Sequence, residues 1–145
     1  MELMMSFLKR QSIKKKIKGR LETYEQQEFV THARMIIKSK FKKLLFSIPN
    51  GGKRTEVSGS RLVAEGLTRG VPDLQLAIPV SPYHGLYIEM KRINIGKVED
   101  DQKEMIDLLR EQGYKVVVCE GSVSAMEEFI KYLKNTGFLK NELRI

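Results

Sequence analysis

The sequence predicts an α/β fold: a mixed β-sheet of about four strands, flanked by helices on both faces. Three observations predict it. Short apolar runs at Leu44–Ile48, Leu74–Pro79, Leu86–Arg92 and Lys115–Cys119 have strand length and carry turn residues at their ends. Segments 22–38, 99–112 and 122–134 place apolar residues at three- and four-residue spacing, the period of a helix. Their order is helix, strand, hairpin, helix, strand, helix, which suits helices layered on a mixed sheet.

The elements follow in chain order. Residues 1–20 read as an arm ahead of the domain, because 9–20 (KRQSIKKKIKGR) are strongly basic and Gly19 breaks the run. Such a run is either a solvated tail or a contact for a polyanion. Residues 21–145 then form one domain, long enough for a single core. The first helix, 22–38, carries a stripe of Glu22, Gln26, Phe29, Val30, Ala33, Ile36 and Ile37. The stripe is polar at its start, so its first turn either leaves the core or points at something polar. The strand Leu44–Ile48 stops at Pro49-Asn50-Gly51-Gly52, a strong turn signal. Residues 60–66 suit a short helix.

Strands two and three are separated by the turn region Pro79–Gly85. In the helix 99–112, Met105, Ile106, Leu108 and Leu109 form the apolar face and Gly113 the stop. Val116-Val117-Val118 is unbroken, which predicts a central strand buried on both faces. Ser122 is the expected N-cap of the last helix.

Composition narrows the function. With 26 Lys and Arg against 18 Asp and Glu, the net charge is +8 and the pI about 9.6. Such a surplus favours a polyanion, nucleic acid or an anionic membrane surface, unless the protein is merely basic. No apolar run approaches the roughly 20 residues that span a bilayer. The mildly apolar Met1–Leu8 is interrupted by Glu2, and its basic residues follow rather than precede it, the wrong order for a signal peptide. Cys119 is the only cysteine, which excludes an intrachain disulfide and suits a reducing cytoplasm. With only His32 and His84 beside it, a structural zinc site is not expected.

Chemistry gathers at Gly70-Val71-Pro72-Asp73 and Tyr87-Ile88-Glu89-Met90-Lys91. Side chains alternate faces along a strand, so Glu89 and Lys91 share one face. Across an antiparallel hairpin, Asp73 joins that face if it pairs with residue 89 or 91; a slip of one residue turns it away. Two carboxylates can hold a hard divalent cation, and a nearby ammonium can position water or phosphate. Alone, Glu89-x-Lys91 is an ordinary solvated strand pattern, and Pro72-Asp73 an ordinary strand entry.

Taken together, these segments resemble the virus-type replication-repair nuclease (VRR-NUC) domain of the PD-(D/E)xK nuclease superfamily. The resemblance spans roughly residues 22–120. It is carried by Ile48-Pro49-Asn50-Gly51-Gly52-Lys53-Arg54, Ala64-Glu65-Gly66, Gly70-Val71-Pro72-Asp73, Ile88-Glu89-Met90-Lys91 and Gln102. It implies a restriction-endonuclease-like core. It also implies that Asp73 and Glu89 hold Mg2+ or Mn2+ with the backbone carbonyl of Met90, that Lys91 orients the attacking water, and that Gln102 is an active-site glutamine. A first-helix acid that reaches the metal fits Glu22, paired with Gln26; Glu25 is the alternative, and Glu28 faces elsewhere.

Asn50, Gly51, Gly52, Lys53 and Arg54 offer backbone amides and two cations to DNA, or form a plain tight turn. Arg61 and Arg69 are expected phosphate contacts. The implied activity is metal-dependent, structure-selective DNA cleavage, with stand-alone members resembling homodimeric Holliday-junction resolvases. The setting is DNA repair in the cytoplasm of a bacterium or phage-infected host, and no membrane partner is expected. A flap or nick nuclease needs the same chemistry. A non-catalytic basic DNA-binding module is the competing class, and a membrane-surface protein would explain only the arm.

Overall fold

A computed structural model describes residues 22–49, 56–94 and 96–140. Its helices are α1 (Glu22–Ile36), α2 (Glu56–Ala64), α3 (Asp100–Glu111) and α4 (Gly121–Leu133). Its strands are β1 (Leu45–Ser47), β2 (Leu74–Leu76), β3 (Leu86–Lys91) and β4 (Lys115–Glu120). The basic arm expected over residues 1–20 lies outside the described residues, as does the loop 50–55.

The four strands form one mixed sheet in the order β1-β2-β3-β4. The first three are antiparallel neighbours, and β4 runs parallel to β3. In the β2–β3 hairpin Leu74 faces Ile88 and Leu76 faces Leu86. Strand periodicity then sorts the side chains. Leu74, Leu76, Leu86, Ile88 and Met90 all turn to one face and are fully buried.

That face is covered by α1 and α4. The three- and four-residue spacing of Phe29, Ala33 and Ile36 puts them on one side of α1, where all are buried. Helix α4 contributes Ala125, Met126, Phe129 and Leu133, and Phe29 meets Phe129 edge to face at 5.7 Å between ring centroids. Tyr132 Oη donates to the Ile78 carbonyl at 2.7 Å, which satisfies its buried hydroxyl. Ile106 of α3 and Val116 of β4 are buried outside this cluster, on the opposite face. Helices thus cover both faces, as the sequence predicts.

Three expectations are corrected. Strand β4 is an edge strand of the described sheet, and Val118 is 39% exposed rather than buried. Helix α3 covers Val116, whereas Val118 lies a strand step further along and stays in solvent. An apolar run reports the character of its side chains, not the number of neighbouring strands. Second, α4 begins at Gly121, with Glu120 at its N-cap and Ser122 inside the first turn. Third, a 3-10 turn over Ser39–Leu44 precedes β1, where the sequence predicts no element. Its residues, SKFKKL, have neither helical nor strand periodicity, and the turn is packed by Phe41, which meets Phe138 edge to face at 4.8 Å between ring centroids.

Candidate active site

The hairpin register settles which face Asp73 takes. Continuing the ladder one step past Leu74 and Ile88 sets Asp73 opposite Glu89. Asp73 Oδ2 accepts the Met90 N–H at 2.7 Å, which ties the strand entry to β3. Gly70 permits that approach. It adopts φ +85°, and a Cβ there would lie 2.3 Å from the Asp101 carbonyl oxygen and 3.0 Å from the Gln102 nitrogen. The loop leading to Asp73 therefore lies directly against the start of α3.

Helix α3 supplies the next member. Its third residue, Gln102, accepts the Glu99 N–H through Oε1 at 3.0 Å, as in a capping box. The same oxygen accepts from Lys91 Nζ at 2.8 Å, and Gln102 Nε2 donates to Glu89 Oε1. Lys91 Nζ also lies 3.0 Å from Glu89 Oε1. Glu89, Lys91 and Gln102 thus form a closed triangle. Glu89 is 1% exposed and Lys91 7%, so the ion pair is buried and held by hydrogen bonds at both ends.

The electrostatics follow from crowding carboxylates under cover. Burial raises the Glu89 carboxyl to about 7, and the Asp73 charge adds to the rise; Lys91 opposes it, and Glu22 raises it a little further. Asp73 is raised chiefly by burial, against hydrogen bonds from Met90 and Glu89 and the charge of Lys91. Glu22 is raised by burial and by Asp73, while Lys91 and Arg92 pull it down. Asp73, Glu89 and Glu22 therefore act on one another, and a shared proton or a cation relieves the repulsion.

Among the described residues, no three Asp, Glu, His or Cys side chains converge as a ready-made metal site. The close pair is Asp73 and Glu89, with Glu22 beyond it. That donor set fits a hard cation such as Mg2+, which takes one or two carboxylates and keeps several waters. It does not fit zinc, which prefers nitrogen and sulfur.

Glu25 has a different surrounding. It is 2% exposed, and its Oε2 accepts the Ser122 N–H at 2.8 Å at the start of α4. Gly121 there takes φ +82°, and a Cβ on it would sit 2.9 Å from the Ile93 side chain. Glu25 therefore binds a helix N-terminus, where backbone N–H groups favour an anion. Of the two candidate acids, Glu22 faces the cluster and Glu25 anchors α1 to α4. Gln26 lies one turn beyond Glu22 and lines a cleft of about 720 Å³ together with Glu22, Asp73, Arg34 and Ser47. Glu28 accepts from Tyr24 Oη at 3.1 Å.

Among the described candidates, Arg61 and Arg69 are not brought to the cluster. Arg61 pairs with Glu65 at 2.8 Å in an exposed i,i+4 ion pair on α2, and Arg69 is exposed in the turn before Gly70. Met90 lies between Glu89 and Lys91 with its side chain in the core. Asn50, Gly51, Gly52, Lys53 and Arg54 lie outside the described residues. Sequence reasoning missed the anchoring role of Glu25. The signal was present in part: an acid one turn into a helix on the same side as the apolar stripe implies a buried partner.

The four-stranded mixed sheet thus brings together a buried glutamate, a half-buried aspartate, a lysine and a glutamine. The pattern of the VRR-NUC domain family matches residues 9–123, and the chain belongs to that family. A solved structure named VRR_NUC domain protein superposes with a TM-score of 0.70 at 26% identity, covering 81% of this chain and 91% of that one. Comparison with curated proteins finds no match. No helix among the described residues is long and apolar enough to cross a membrane.

Proposed function

We propose that the chain is a divalent-cation-dependent endonuclease that hydrolyses phosphodiester bonds in DNA. The observation that carries this reading is the closed triangle of Glu89, Lys91 and Gln102 with Asp73 bonded beside it. Asp73 and Glu89, with the Met90 carbonyl and Glu22 adding to them, would hold Mg2+ or Mn2+. When bound, the cation polarises the phosphoryl group and lowers the pKa of a coordinated water.

The chain's own groups do the rest. An ammonium has three donor protons. Two of those on Lys91 serve Glu89 and Gln102. The third is available to orient the attacking water or to offset charge on the phosphate. Gln102 bonds both Lys91 and Glu89 and so holds them at a fixed separation. No covalent nucleophile is required, and the lone Cys119 is buried with its thiol raised to about 11.

Branched DNA cut by a homodimer is the substrate class we favour. One copy carries one cluster, so breaking two strands at a junction takes two copies. The net charge of +8 supports a DNA partner and equally suits a non-catalytic binding module. Asp73→Ala and Lys91→Ala separate the two. Both substitutions are expected to abolish Mg2+-dependent cleavage while DNA binding persists. Retained Mg2+-dependent activity in both variants would sink the assignment.

A further inference from the structure

Helix α1 runs away from the carboxylates, and strand β1 runs back toward them. Glu22 begins α1 at the cluster, and Arg34 closes its last turn at the far end. The chain reverses through the 3-10 turn, and β1 returns until the Ile48 N–H donates to the Asp73 carbonyl at 2.8 Å. The cleft of about 720 Å³ lies between them. Arg34 lies twelve helical steps beyond Glu22, roughly 18 Å at the helical rise.

The cleft face of α1 has a consistent chemistry. Beyond Glu22, Thr23, Gln26, Gln27, Thr31 and Arg34 line it with hydrogen-bond donors, and Val30 is the one apolar residue of α1 among them. The acids between Glu22 and Arg34 are turned elsewhere: Glu25 to Ser122, Glu28 to Tyr24. Arg34 Nη2 donates to the Leu45 carbonyl at 2.8 Å, which fixes its guanidinium at the far end. Beyond it, residues 38–43 (KSKFKK) carry four lysines and no acid. Lys40 and Lys43 are exposed, and Lys40 Nζ stands 5.6 Å above the Phe41 ring.

We propose that this cleft and the basic turn form a track for the nucleic-acid backbone on one side of the bond to be cut. The donors of α1 contact phosphate and sugar oxygens, and Arg34 with Lys38–Lys43 grips phosphates at the end. At 3.4 Å per nucleotide along a duplex axis, 18 Å places that grip about five nucleotides from the cut. The contacts are to backbone, so the track positions DNA without reading its sequence. This inference rests on the nuclease reading for the location of the cut.

The test compares Lys40→Gln/Lys43→Gln with a control of equal charge loss on α4 and its exit, Lys131→Gln/Lys134→Gln. Binding of a labelled 30-base-pair duplex is followed by anisotropy in EDTA from 50 to 300 mM salt. Each phosphate contact contributes about 0.9 to the slope of log affinity against log salt. The 40/43 variant is expected to lose about 1.8 of that slope and the control much less. Phosphate ethylation of wild-type complexes is expected to interfere about five nucleotides to one side of the cleavage position. Equal slopes in the two variants would overturn the track. Absence of cleavage by the wild type would instead refute the nuclease reading, leaving the binding comparison to stand or fall by itself.

Discussion

Glu89 is expected to make cation binding pH-dependent in the neutral range. Its carboxyl is raised from 4.5 to about 7, first by burial and then by the charge of Asp73. A protonated carboxyl is a poor ligand, so a cation must displace the proton. The sign follows: affinity rises as pH rises through about 7. At pH 6 roughly one Glu89 in eleven is ionised, and at pH 8 roughly ten in eleven. Mn2+ should therefore bind about tenfold more tightly at pH 8 than at pH 6, a difference of about 1.4 kcal/mol.

Isothermal titration in buffers of different ionisation enthalpy measures the protons released. About 0.9 proton per cation is expected from Glu89 at pH 6, and about 0.1 at pH 8. The metal-free protein should show the converse. The stabilisation from Glu89 should be present below pH 4.5 and lost as pH rises through about 7, by at most about 3–4 kcal/mol. Glu89→Gln should remove this component of the pH dependence. A constant affinity between pH 6 and 8, with no proton released at pH 6, would refute the reasoning.

Three further outcomes follow from the same contacts. Gln102→Ala removes the bonds to Lys91 and Glu89 and should lower kcat about 10- to 100-fold, with duplex affinity little changed; steady-state cleavage kinetics check it. Glu25→Ala leaves the Ser122 N–H buried without its acceptor and should cost about 1–3 kcal/mol in urea unfolding. Gly70→Ala forces a Cβ against the Asp101 carbonyl at a left-handed φ. A loss of at least about 1–2 kcal/mol in the same assay is expected, accompanied by weaker Mn2+ binding.

Much of this was legible in the sequence because it depends on local periodicity. The burial of Phe29, Ala33 and Ile36 follows from helical spacing, and the shared face of Glu89 and Lys91 from strand alternation. The register that sets Asp73 opposite Glu89 did not follow, since two registers are equally compatible with the hairpin. It is decided by tertiary contact, with Gly70 seated against α3 and Asp73 bonded to Met90. The choice between Glu22 and Glu25 is of the same kind. Both acids sit in the first turn of α1, and only the packing of α4 shows that Glu25 is taken by Ser122. Val116–Val118 misled because apolar composition does not distinguish an edge strand from a central one. The cleft between α1 and β1 depends on a chain reversal at residues 39–44 that has no sequence period.

The central claim is that the Asp73–Glu89–Lys91 cluster cuts DNA with a divalent cation. The most direct measurement is a cleavage panel on labelled four-way junction, flap, nicked duplex, plain duplex and single strand, run with Mg2+, with Mn2+ and with excess EDTA. Cleavage is expected with either cation, with none in EDTA, none by Asp73→Ala, and a preference for a branched substrate. Cleavage that persists in EDTA, or no cleavage of any substrate by a folded, DNA-binding protein supplied with Mg2+ or Mn2+, would contradict it.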